Sequence, residues 1–309
     1  MPRPPLHHDA LLYSGNEEYI TAIRDFTRGG VEGGGAVLIA VPQPKLAVLR
    51  ASLGDLGGRV QFADMRQIGI NPARIIPFVK AFIDEHRQRP VRFVGEPIWV
   101  GRSEAETVEA VRHEGLLNAV FARAGAQILC PYDTGELSAD VLDDARRTHP
   151  TVLEGGRRCR CGDYVDPLET YAAARHPLPE PSGAPLRISV SDGLVDFRSV
   201  VKEQARSAGM PPDRVASFLI AANEAAANTL IHAGGNGSAR IWHDEHELVC
   251  EVSDTGVIED PLVGRRMPPA DRSGGRGVWL MNQLSDLVEL RSGPPTGTVV
   301  RIHMRRASV

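Results

Sequence analysis

The stretch Ile220 to Gly237, IAANEAAANTLIHAGGNG, constrains this chain more than any other. It is rich in Ala, free of Pro, and spaces its apolar residues at helical intervals, so it predicts a helix that stops at Gly234-Gly235. Glu224, Asn228 and His232 interrupt the apolar pattern at successive i, i+4 positions, which puts three polar side chains on one face. A carboxylate one turn before a carboxamide suits a hydrated Mg²⁺ and a triphosphate, with the Asn oxygen as metal ligand and the Glu as proton acceptor. A solvated stripe on an amphipathic helix has the same appearance, so these residues alone leave both readings open.

A chain of 309 residues exceeds one ordinary domain and suits two. Its 35 Lys and Arg against 39 Asp and Glu leave a net charge of −4, so no global field argues for nucleic acid or an anionic membrane. No apolar run reaches the length of a membrane span, and MPRPPLHHDALLY lacks the apolar core of a signal peptide. A cytoplasmic protein is expected, with its four cysteines reduced.

The first half alternates strand-like with helix-like segments. Val37 to Val41, Val60 to Ala63, Val91 to Val94 and Gln127 to Leu129 read as short buried strands; Lys45 to Leu53, Ile75 to Arg87, Ala105 to Ala124 and Ala139 to Arg147 read as helices. That order predicts an α/β domain with a mostly parallel sheet. Ligands in such folds collect at the carboxyl ends of the strands. The residues to inspect there are Glu96, Trp99 and Arg102 after the third strand, and Cys130, Tyr132 and Asp133 after the fourth. Trp99, Tyr132 and Cys130 suit the lining of a small apolar pocket, with Glu96, Arg102 and Asp133 as polar contacts or as ordinary loop chemistry.

HHDALLY near the start, GEPIW after the third strand, and CPYD followed by a helix ending in THP resemble the MEDS sensory domain of methanogen and methylotroph sensors and the dichloromethane regulator. The resemblance spans residues 1–156 and implies a relative of the RecA/KaiC ATPases that takes an unidentified small ligand. Where such an ATPase would carry its phosphate loop, this chain has Tyr13-Ser14-Gly15-Asn16-Glu17-Glu18, without the Lys and Ser/Thr that a P-loop needs. Two carboxylates there repel a triphosphate, so a sensor or docking domain is expected and not a second ATPase.

Residues 157–185 read as a semi-extended linker, with five prolines from Pro167 to Pro185 beside small Gly clusters. Cys159 and Cys161 lie in it among Arg157, Arg158 and Arg160. They read as solvated thiols or, with neighbouring cations lowering their pKa, as a redox-sensitive pair. A zinc site would need two more ligands, and only His149 and His176 are near in sequence.

Residues 186–309 follow a different order. Leu186 to Val190 is an alternating strand, Leu194 to Ala208 a helix, and Pro211-Pro212-Asp213 leads into the Ala-rich helix. Ser238 to His243 and Glu247 to Val252 read as a hairpin, Val278 to Leu284 as a helix, and Leu287 to Arg291 and Thr298 to Met304 as closing strands. This predicts an antiparallel-rich sheet with helices on one face, an α+β two-layer sandwich.

Three clusters follow the Ala-rich helix. Asp254-Thr255-Gly256 ends a strand, where a carboxylate can accept the exocyclic amine of adenine and Gly256 lets the base approach the backbone. Ser273-Gly274-Gly275-Arg276-Gly277 precedes a helix, exposing N–H groups and a cation to phosphate. Gly297-Thr298 opens the last strand, with a hydroxyl able to hold a water or the base. Glu-x-x-x-Asn, Asp-x-Gly, Gly-x-Gly and Gly-Thr in that order resemble the motif boxes of the GHKL ATPases (HATPase_c, Bergerat fold), and the short form is similar to the anti-sigma-factor serine/threonine kinases. The resemblance implies ATP and Mg²⁺, Asn228 as metal ligand, Glu224 as general base, Asp254 as adenine reader, Gly256 beside it, and Gly275, Arg276 and Gly277 around the phosphates. It also implies a mobile lid over Glu259 to Gly274, with His232 capping the helix or touching phosphate.

The expected protein is a cytoplasmic signalling regulator whose sensory domain controls an ATP-dependent serine/threonine kinase acting on an anti-anti-sigma or sigma factor. The pattern departs from the family after Gly256, where Val257-Ile258-Glu259-Asp260 stands in place of a second glycine. That favours the alternative of a nucleotide-dependent binding switch without kinase activity. A histidine kinase is a poor third reading, because the linker offers no long amphipathic dimerisation helix carrying a phospho-acceptor His; His176 precedes Pro177 in a Pro-rich stretch. Homodimerisation stays open.

Overall fold

The computed structural model describes residues 4–173, 177–181, 183–191, 193–235, 237–268 and 275–306. The chain divides into two compact units, Met1–Ala174 and Arg175–Val309.

In the first unit, β1 (His7–Tyr13), α1 (Gly15–Glu32), β2 (Ala36–Val41), α2 (Gln43–Leu53), β3 (Val60–Asp64), the short α3 (Met65–Ile68), α4 (Ile75–Glu85) and β4 (Val91–Gly95) come first. α5 (Glu104–Phe121), β5 (Ala126–Asp133), α6 (Ala139–Thr148), β6 (Thr151–Glu154), β7 (Arg157–Arg160) and α7 (Pro167–Ala173) follow. The sheet runs β3-β2-β4-β5-β1-β6-β7, parallel throughout except for β7. Helices cover both faces, so β2 is buried at every position and shows no polar alternation. Leu11, Tyr13 and Leu129 pack with α1 and α2 residues such as Ile23 and Leu49 on one face. By the pleat, His8, Cys130 and Tyr132 point to the other, towards α5.

β1 lies between β5 and β6, although its opening His-His-Asp hides it from a search for apolar strands. The expected linker over 157–185 is also corrected. Gly155 and Gly156 both have positive φ, 54° and 72°, as the two central residues of a tight hairpin require, and they turn β6 into β7. α7 then packs on α5, with the Arg112 guanidinium 4.2 Å over the Tyr171 ring and Thr170 against Gly115. Of the prolines that suggested a linker, Pro167 opens this short helix and the other four follow it. Cys159 is exposed, while the Cys161 thiol donates to the Arg146 carbonyl at 3.1 Å.

The second unit contains β8 (Leu186–Ser189), α8 (Leu194–Ser207), α9 (Pro212–His232), β9 (Gly237–His243), β10 (Glu247–Asp254), α10 (Gly277–Leu284), β11 (Leu287–Gly293) and β12 (Gly297–Arg305). Its sheet is antiparallel, in the order β11-β12-β10-β9-β8. Phe197 and Val201 of α8, Phe218, Ala222 and Ala226 of α9, and Met281 of α10 share one core with Ile241, Cys250 and Ile302 of the sheet. The small alanines of α9 let α8 and α10 pack closely on either side of it. The opposite sheet face is a ladder of charges. Glu251 is gripped by its directly opposed neighbours Arg240 (2.8 Å) and Arg301 (2.9 Å), and His303 lies 2.9 Å from both Glu247 and Glu289. Glu180 and the Pro179 carbonyl bond to Arg240 and Arg301, so this part of the expected linker is tied to the sheet.

Candidate functional site

α9 forms because Pro212 opens it in a position where a missing N–H costs nothing, and its apolar face is buried from Val215 to Thr229. Glu224 and Asn228 are half-buried on the same side. The backbone at the start of α10 approaches them: a Cβ built on Gly277 would lie 2.9 Å from Glu224 Oε2, 3.2 Å from Asn228 Nδ2 and 3.3 Å from Asn228 Oδ1. A side chain at Gly277 would press on the tips of both residues, so the glycine lets the start of α10, with its unpaired N–H groups, lie close to the carboxylate–carboxamide pair. Gly275, with φ of 76°, and Arg276 are exposed just before α10. Ser273 and Gly274 lie outside the described residues.

Asp254 ends β10 opposite Gly237 on one side and Thr298 on the other. Its Oδ2 accepts from the Thr229 hydroxyl at 2.9 Å, and its Oδ1 accepts from the Gly256 N–H at 2.8 Å. Each carboxylate oxygen keeps a second lone pair, and the side chain stays half-exposed. Thr298 differs from expectation. Its hydroxyl donates to the Gly256 carbonyl at 2.8 Å and lies 2.7 Å from Ser292 Oγ, which accepts from the Ile258 N–H. Thr298 therefore braces the turn after Asp254, and Gly256 spends both backbone groups within that turn.

Thr229 and Ser292 are the residues the sequence reading missed. Thr229 was visible as a polar side chain next to Asn228 on an otherwise apolar helix face, but its partner is 25 residues away. Gly297 has φ of 76°, and a Cβ there would meet the Asp254 carbonyl at 2.1 Å. His232 is exposed at the end of α9. Within the expected lid, residues 259–268 are described. Gly264 rests on Val278, and its carbonyl accepts from Asn282 of α10 at 3.1 Å, so this part is anchored; 269–274 lie outside the described residues.

The six side chains expected to line a sensor pocket do not share one. Glu96 is buried on the α1 face, where its Oε2 accepts from the Tyr19 hydroxyl at 3.0 Å and its Oε1 from Lys45 at 2.5 Å. Lys45 also bonds Tyr13 Oη at 2.6 Å and lies 5.3 and 5.2 Å above the rings of Tyr13 and Tyr19. Burial pushes the Glu96 carboxyl up to about 7 against the pull of Lys45, and burial beside Glu96 pushes both phenols up. This Lys–Glu–Tyr–Tyr lattice lies beside the segment where a P-loop would sit. There Glu18 accepts the Ser14 N–H at 2.9 Å, so the helix start is capped by its own carboxylate.

Trp99 and Arg102 stack on each other at 3.8 Å in the loop after β4, and Arg102 donates to the carbonyls of Pro97, Gly69 and Ile70. Asp133 accepts the Gly135 N–H at 3.0 Å in the turn after β5. Cys130 and Tyr132 face α5 and are buried with His8, Glu114 and His149; the Tyr132 ring meets His149 edge-on at 5.6 Å. The reason is the pleat. Consecutive strand-end residues alternate faces, and both faces of a parallel sheet are covered.

Among the described residues no helix is long and apolar enough to cross a membrane. No curated protein matches the chain. One solved structure that it resembles is the flagellar accessory protein FlaH from Methanocaldococcus jannaschii, at 12% identity over 51% of this chain and 76% of that one, with a TM-score of 0.28. The model of the MEthanogen/methylotroph, DcmR Sensory domain matches residues 7–150, and that of the histidine kinase-like ATPase domain matches residues 191–304. The parallel α/β unit and the antiparallel α+β unit are therefore a MEDS domain joined to a histidine kinase-like ATPase domain, and the chain is a signalling regulator carrying an ATPase domain.

Proposed function

We propose that the second domain binds ATP with Mg²⁺ under the control of the first, and transfers phosphate to a serine or threonine of a regulatory protein of the anti-anti-sigma or sigma-factor class in the cytoplasm. The observation that carries this reading is the approach of Gly277 to Glu224 and Asn228, with Asp254 tied to the next residue, Thr229. The donor set fits the nucleotide. It offers a carboxamide oxygen for a hard cation, backbone N–H groups and Arg276 for phosphate, and a held carboxylate with free lone pairs for the adenine amine. ATP supplies the phosphoryl group and Mg²⁺ neutralises its charge. Asn228 would orient the cation, Asp254, held by the Gly256 N–H, would fix the base end, and Gly275 and Gly277 would receive the phosphates. Thr298 keeps the Asp254 turn in shape, and the Glu224 carboxylate accepts the proton of the attacking hydroxyl.

Calorimetric titration with ATP and Mg²⁺ tests the binding half; absence of binding, or undiminished binding after Asp254→Ala, removes it. Labelled ATP with a candidate partner tests the transfer half. A second reading, a nucleotide-dependent switch that sequesters its partner without phosphorylating it, is favoured by Val257-Ile258-Glu259-Asp260 in place of a second glycine. It is also favoured by the anchoring of Gly264 on α10. Serine or threonine phosphorylation that disappears in Glu224→Ala eliminates the switch.

A further inference from the structure

His8, Glu114, Cys130 and His149 are fully buried, and one donor atom from each lies within 4.8 Å of all the others. They come from β1, α5, β5 and the two-residue His149-Pro150 joint between α6 and β6. Both imidazoles are oriented at Nδ1. The Ala145 carbonyl lies 2.8 Å from His149 Nδ1, and a carbonyl only accepts, so the proton sits on Nδ1 and Nε2 presents its lone pair to the cluster. Asn118 donates from Nδ2 to the Thr148 carbonyl at 2.7 Å, which turns its Oδ1 onto His8 Nδ1 at 3.0 Å. His8 Nε2 then faces Glu114 Oε2 at 3.1 Å and Cys130 Sγ at 3.4 Å.

An ion pair between His8 and Glu114 alone does not account for this arrangement. It leaves His149 Nε2 and Glu114 Oε1 buried without hydrogen-bond partners, with His149 Nε2 3.7 Å from Glu114 Oε2. We propose that the four side chains form a closed site for one divalent transition-metal ion of the zinc class. Two neutral imidazoles, a thiolate and a carboxylate sum to −2, which such a cation cancels, so the buried set becomes neutral as a whole. Four of the six separations between these donors are 3.1, 3.4, 3.5 and 3.7 Å and the other two are no more than 4.8 Å, close to the edges of about 3.3–3.8 Å of a tetrahedron with zinc bonds of about 2.0–2.3 Å. Acceptors at both Nδ1 atoms provide the outer shell that metal-bound histidines use to fix tautomer and ring plane. Four protein donors and full burial leave no open coordination position, so the ion staples β1, β5, α5 and the start of β6. Cys159 and Cys161, the pair that attracts attention in the sequence, take no part.

The test is the metal content of the purified full chain by mass spectrometry, grown with zinc and dialysed against a weak chelator. We expect about one zinc per chain, falling at least about tenfold in Cys130→Ser and His149→Gln while Cys159→Ser and Cys161→Ser keep it. Because a core variant can fail to fold, the unaltered protein is also stripped with a strong chelator and titrated with Co²⁺. Intense visible bands with a thiolate-to-cobalt band in the near ultraviolet, saturating at about one equivalent, support the site. No metal in the unaltered protein together with no cobalt bands overturns it, as does full occupancy retained in Cys130→Ser.

Discussion

Two helices of this chain carry the same Glu-x-x-x-Asn spacing in opposite surroundings: Glu114 and Asn118 on α5, and Glu224 and Asn228 on α9. On α5 the carboxylate is fully buried against a sheet whose other face is also covered, and Asn118 is spent orienting His8. On α9 the pair is half-exposed beneath the opening turn of α10, with only a glycine between it and the helix N-terminus. The spacing puts two polar side chains on one helix face. What packs on that face decides whether they organise a core or meet a ligand.

Four substitutions or conditions sharpen the contrast. The largest effect is expected from Glu224→Ala, which lowers phosphorylation of the partner by about 10²–10⁴-fold, as loss of a general base does. The same change leaves stability within about 0.5 kcal/mol, because a half-exposed carboxylate holds nothing together. Equal unfolding losses for Glu224→Ala and Glu114→Ala in urea would erase the distinction. Glu114→Ala is expected to cost the first domain about 3 kcal/mol, since it strips His8 of a buried partner at 3.1 Å.

His303 extends the comparison to the ionic face of the second sheet. Burial opposes its charge, but hydrogen bonds to Glu247 and Glu289 outweigh burial and lift the imidazole from 6.5 to about 9. A raised histidine stabilises fully below its unfolded value and loses that stabilisation as pH rises through the folded one. The second domain should therefore weaken between pH 6.5 and pH 9 by at most about 3 kcal/mol. Thermal melts across that range, flattened in His303→Gln, check this; a profile unchanged by the substitution contradicts it. The smallest effect is expected from Asp254→Ala, which should weaken ATP binding by about 2 kcal/mol, roughly 30-fold, read by calorimetry.

Much of the second domain was legible because its signals are local. Strand alternation, Pro at the start of α9 and glycines at the turns each act within a few residues, and the motif order follows the chain. The first domain was legible only as alternating strands and helices. β1 opens with three polar residues, of which only His8 is buried, so it escaped notice, and Gly155-Gly156 looked like a break when it is a hairpin turn.

The sequence by itself determined two domains of different class, the register of Glu224 with Asn228, and the order of Asp254, Gly277 and Thr298 behind them. All of these follow from covalent spacing and the fixed periods of helix and strand. Only the tertiary structure decided that Thr298 braces a turn, that Glu96 meets Lys45 while Cys130 meets His8, and that His149 turns inward, away from the cysteines nearest to it in sequence. Those pairings join residues tens to more than a hundred positions apart, and they depend on strand order and on which face of the sheet each side chain enters. Neither is written in any local pattern.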